Sequence, residues 1–89
     1  MPTRGWRVSE YVMDLQDGDD TVLLDAREGR YVGLNRTGGL IWELLKAGRS
    51  LEEMATELSA TTGVDATVAT EDIAKCIAEL DTRGLVTPK

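Results

Sequence analysis

RYVGLNRTG, residues 30–38, packs a strand pattern and a helix cap into nine residues with no loop between them. In a strand, alternate side chains face opposite sides, so Val32 and Leu34 share one face while Tyr31 and Gly33 share the other. The apolar pair Val32 and Leu34 is the expected core face. A glycine inside a strand marks either a bulge or a place where another backbone or side chain comes close, and the residues alone leave both readings open. Asn35 or Thr37 can accept hydrogen bonds from the first-turn amides of a following helix. Leu40, Ile41, Leu44 and Leu45 then recur at helical spacing, and Gly48 is a fitting stop.

Upstream, AREG (26–29) offers Gly29 as the left-handed residue of a short hairpin loop, and TVLLD (21–25) reads as the strand before it. QDGDD (16–20) is a turn by composition, and WRVSEYVMDL (6–15) is the expected first strand. Two short connections make a meander, with the second strand central and residues 30–34 at an edge. Downstream, Ser50 and Glu53 fit a capping box for a second helix carrying Leu51, Met54, Ala55 and Leu58, closed by Gly63. A third helix starts between Asp65 and Thr70 and runs to about Arg83. Ile73, Cys76, Ile77 and Leu80 form its inward face, and Gly84 stops it. The tail LVTP is expected to lie back on the sheet or helices. The sum is a single α+β domain over residues 1–89, winged-helix-like, with a three-stranded antiparallel sheet followed by three helices.

Composition excludes much of what such a fold could do. The chain has no histidine and one cysteine, which removes histidine-based metal and catalytic sites and any internal disulfide. Cys76 lies in an apolar helical stripe with nothing to activate it, the setting of a buried structural thiol. Asp17, Asp19 and Asp20 lack the loop and terminal glutamate of a calcium site, and no GxxxxGK phosphate loop is present. We expect a non-enzyme without a metal or cofactor. A formal charge of −6 opposes binding to nucleic acid, and the would-be recognition helix TEDIAKCIAELDTR (70–83) carries more acidic than basic residues. The N-terminus lacks the apolar run of a secretion signal and no window is long and apolar enough for a membrane span, so the expected location is the cytoplasm, away from membranes.

Residues 23–45, LLDAREGRYVGLNRTGGLIWELL, resemble the PqqD-like family of peptide chaperones. The shared pattern is Leu-Asp, a hairpin glycine, a tyrosine-containing strand, Leu34-Asn35-x-Thr37-Gly38, then Ile41-Trp42 and a leucine pair. It continues through SLEEMATEL, Asp72-Ile73, and Leu80 to Gly84-Leu85, covering about residues 21–86. The resemblance implies a recognition element that holds the leader segment of a ribosomally made precursor peptide for modifying enzymes. In that family the leader adds as a strand beside the third strand and packs against the third helix. Carried onto this chain, the implied peptide-binding residues are Arg30, Tyr31, Val32, Gly33 and Leu34 on the strand, with Asp72, Lys75, Cys76 and Glu79 on the helix. From spacing alone, Asp72, Lys75 and Glu79 fit a solvated helix face better than a binding face, and it is the resemblance that brings the binding reading level with it. The wording LLDAREGRY looks most like the discrete versions of lasso-peptide maturation, which implies a leader peptidase and a cyclase as further partners. A chaperone for a pathway in which a radical enzyme modifies the peptide is the alternative within the family, and a winged-helix DNA-binding regulator the alternative outside it.

Overall fold

Asp14, in the middle of the apolar-polar run VMDLQD, is the carboxylate around which one sheet and one helix are joined. The computed structural model describes residues 5–88. Its elements are β1 (Trp6–Val8), β2 (Val12–Asp17), β3 (Asp20–Asp25), β4 (Arg30–Leu34), α1 (Arg36–Lys46), α2 (Leu51–Thr62), α3 (Ala66–Thr82) and β5 (Val86–Pro88). Strands β2, β3 and β4 form the expected antiparallel meander with β3 in the centre. The fold class is the α+β, winged-helix-like arrangement expected from the residues.

The expected first strand, 6–15, is two strands. Between them the Ser9 amide donates to the Leu85 carbonyl at 3.0 Å, while the Ser9 and Tyr11 hydroxyls both donate to the Gly84 carbonyl, at 2.8 and 2.6 Å. Polar groups therefore pull residues 9–11 out of any ladder, and β1 pairs with the tail instead. Trp6–Val8 lies antiparallel to Val86–Pro88, so the tail forms a strand of a second, two-stranded sheet rather than merely lying back. The turn at 16–20 is also tighter than expected. Gly18, at φ +66°, permits a loop of only Gly18 and Asp19, and Gln16 and Asp17 stay in the ladder opposite Thr21 and Asp20.

Facing pairs define the sheet's two sides. Leu23 sits between Asp14 and Val32, and Thr21 opposite Leu34, on the side that α1 covers. Thr21, Leu23 and Asp25 are buried there. α1 approaches β3 so closely that a Cβ on Gly39 would stand 2.7 Å from the Thr21 Oγ1, which explains a glycine pair at the start of a helix. Asn35, not Thr37, is the cap: its Oδ1 accepts from the Gly38 amide at 2.9 Å. The capping box at Ser50 and Glu53 and the stops at Gly63 and Gly84 are as expected, and Asp65 caps α3. The core unites Leu23 with Ile41, Trp42 and Leu45 of α1, Met54 and Leu58 of α2, and Ile73, Ile77 and Leu80 of α3, closed by Leu85 and Val86. Leu40, Leu44, Leu51 and Cys76, expected inside, are only half-buried at its margin.

The Trp42 ring is 1% exposed and its Nε1–H donates to Asp14 Oδ2 at 2.6 Å, while Lys46 Nζ approaches the same oxygen at 2.8 Å. Lys46 and Trp42 together hold the Asp14 carboxyl below its ordinary value, and Asp14 in turn raises the Lys46 ammonium. Asp14→Ala leaves a buried indole N–H without an acceptor and should cost about 1–3 kcal/mol in urea unfolding, with Asp14→Asn losing less. Because the folded carboxyl titrates lower than the unfolded one, its contribution is full above the ordinary carboxylate pKa and drains as pH falls through the lowered folded value. In Asp14→Asn the acid limb of the stability profile should flatten below roughly pH 4. An unaltered acid limb would show that other groups set acid sensitivity.

Candidate functional site

β4 pairs on one side only. Its register with β3 is continuous, Thr21↔Leu34 through Asp25↔Arg30, with Val22 directly opposite Gly33. This removes the bulge reading of Gly33. A Cβ built on Gly33 would meet nothing within 4 Å, and Gly33 is not at positive φ, so neither packing nor backbone conformation within this chain demands a glycine. The missing side chain leaves open space beside a sheet edge, where a row of N–H and C=O groups is available to a further strand.

The hairpin that presents this edge is tied by Asp25. Its Oδ1 accepts from the amides of Arg27 and Glu28 at 3.0 and 3.3 Å, its Oδ2 from the Arg27 guanidinium at 3.3 Å, and Gly29, at φ +68°, donates its amide to the Asp25 carbonyl at 2.7 Å. Arg27 also lies 4.4 Å over the Tyr11 ring. The aspartate of the Leu-Asp pair is thus a loop organiser, fixed before β4 begins.

Across from the free edge lies α3. Gly33 and Leu34, with Asn35, Thr37 and Gly38 at the start of α1, line a cavity of about 400 Å³ whose far wall is Asp72, Lys75, Cys76 and Glu79. A smaller cavity of about 60 Å³ continues it between Val32 and Leu80 toward Arg83. The structure therefore brings together Val32, Gly33, Leu34, Asp72, Lys75, Cys76 and Glu79 in one groove. Val32 and Leu34 are half-buried and line it, while Arg30 stands at its end, in a further cavity with Arg83. Tyr31 is not in the groove: it is 69% exposed on the opposite face of the sheet, beside Met13, Leu15, Val22 and Leu24. Asn35, Thr37 and Gly38, read from the sequence as helix cap and family motif only, also line the groove, as does Arg83. The signal for Arg83 was its place four residues after Glu79, with which it makes an ion pair at 3.3 Å.

A domain model described as coenzyme PQQ synthesis protein D (PqqD) matches residues 20–86. The chain belongs to the PqqD family. Among solved structures, this PqqD-family chain is similar to a lasso peptide synthetase B1 complexed with the leader peptide, at 34% identity and a TM-score of 0.86, covering 93% of this chain and 98% of the other. It is also similar to TbiB1 in complex with the TbiA(beta) leader peptide, at 30% identity and a TM-score of 0.84, covering 90% and 93%. No curated protein matches it in sequence. Among the described residues no helix is long and apolar enough to cross a membrane, and no group of three or more acidic or thiol side chains could hold a metal ion.

Cys76 lines the groove at the margin of the core, in a setting that disfavours its thiolate. Burial, helped by the charge of Glu79, pushes its thiol above the ordinary value. Iodoacetamide should therefore alkylate Cys76 in the folded protein at pH 8 at least about tenfold more slowly than in the urea-unfolded chain. Equal rates would show a freely open thiol and a groove wider than described.

Proposed function

We propose that this PqqD-family chain is a non-catalytic recognition element of lasso-peptide biosynthesis: it binds the leader segment of a ribosomally made precursor by strand addition at β4, against α3, and delivers it to a leader peptidase and a cyclase. The observation that carries this reading is the free β4 edge beside a half-buried apolar groove, an edge that includes, on its other face, a glycine that the fold itself does not require. The two solved relatives, both complexes with a leader peptide, support the ligand class. Their high coverage of the chain favours the lasso-type assignment over a radical-enzyme pathway. A precursor made on ribosomes places the event in the cytoplasm.

In strand addition the backbone supplies most of the affinity, and side chains alternating into the groove supply the choice of sequence. Tethering then raises the local concentration of the modifiable segment near the enzymes, with no chemistry required of the tether. Successive residues of a strand point their N–H groups in opposite directions, so of Val32 and Gly33 one amide faces β3 and the other faces the guest. Proline at the first position should destabilise the fold. Proline at the second should leave stability nearly intact and weaken binding of a lasso leader peptide at least about tenfold, equivalent to about 1.4 kcal/mol, in calorimetric titration. Wild-type affinity should be micromolar or tighter. No heat with any lasso leader, or full affinity in a stable proline variant, would move the site away from β4.

A further inference from the structure

Resting on strand addition at β4, we infer that the groove is built to seat an acidic side chain of the guest peptide at its Arg30 end, between Arg30 and Arg83. Arg30, Val32 and Leu34 alternate along β4 on the groove side of the sheet. The three cavities of the groove are joined by shared walls: Val32 and Arg83 belong to both the small cavity and the one of about 410 Å³ beyond it. A guest strand beside β4 presents every second side chain to this groove, about 6.7 Å apart. Those opposite Leu34 and Val32 meet apolar walls formed with Cys76 and Leu80. The one opposite Arg30 reaches a mouth walled by Arg30 and Arg83.

The charges at that mouth are not equivalent. Asp25 and Glu28 are both engaged by Arg27, at 3.3 and 3.2 Å, and Asp25 is buried by its contacts with the loop amides. Arg83 pairs with Glu79 four residues earlier, both side chains about half exposed or more, a weak and exchangeable contact. Arg30 makes no ion pair among the described residues. Asp81 is the one carboxylate of this wall without such a partner and opposes an incoming anion. The wall's three guanidiniums and three carboxylates balance, and Arg83 is shared with Glu79. The place for a further carboxylate is therefore at Arg30, the guanidinium left without an ion pair among the described residues, whose planar fork is suited to hold a carboxylate through two parallel hydrogen bonds. Continuing the meander, an antiparallel guest would read apolar, any, apolar, any, acidic along its own direction.

Selection of a random dodecapeptide display library on the immobilised protein tests this. Enriched clones should carry Asp or Glu two residues beyond an apolar-x-apolar pair, and their synthetic peptides should bind Arg30→Glu at least about tenfold more weakly. A parallel selection on Arg30→Glu, with Arg30→Gln as a milder companion, should exchange the acid for Lys or Arg. Clones with the apolar alternation but no acid at that place, or the same acid retained on Arg30→Glu, would overturn the acidic seat and leave strand addition standing. Clones without the alternation, or no enrichment at all, would overturn both.

Discussion

The sheet β2–β3–β4 stops one strand short of α3, and the rest of the molecule depends on that gap being held open. Two devices hold it. The Asp25-centred loop fixes where β4 begins, through two backbone amides and one guanidinium on a single buried carboxylate. Asn35 fixes where β4 ends, by capping α1 at the residue after Leu34, so the chain cannot drift toward α3. Between these pins β4 keeps one side bonded and one side available. The apolar residues it turns inward are half-buried, because the groove beside them is unfilled.

α3 can stand off from β4 because its own attachments are elsewhere. Ile73, Ile77 and Leu80 anchor it in the core with α1 and α2, and Leu85 and Val86 tie its exit into the second sheet with β1. The Gly84 carbonyl, accepting from both Ser9 and Tyr11, secures the same corner. The face of α3 that looks toward β4 is thereby free to carry Asp72, Lys75, Cys76 and Glu79. Burial holds the Cys76 thiol above its ordinary value, away from the reactive thiolate. A groove with backbone hydrogen-bonding capacity on one wall and a mixed charged face on the other is suited to holding an extended chain.

Much of this was legible from residues. The meander, the edge position of residues 30–34 and the three helices follow from short connections, caps and 3.6-residue spacing, all of which are local signals. What failed was non-local. WRVSEYVMDL reads as one strand because nothing within it reveals that Ser9 and Tyr11 will bond to Gly84, more than seventy residues away. For the same reason the tail was not recognised as a strand. At the site, alternation put Val32 and Leu34 on the core face, where they are half-buried and line the groove, and the same alternation carries Tyr31 to the other face. The spacing of α3 assigned Cys76 to the core, yet a stripe of four inward positions on a long helix cannot say which one will lie at the margin. Arg83 shares a helical face with Glu79 four residues earlier, but that spacing does not say that α3 brings it to the end of β4.

Backbone amide hydrogen exchange along β4, with and without a bound leader peptide, tests the central claim most directly. Outward-facing amides within residues 31–34 exchange freely in the unbound protein if the edge is open, and the account predicts that alternate amides there gain strong protection when the peptide binds. Peptide binding that leaves those amides exchanging as before, with protection appearing on another surface, would contradict it.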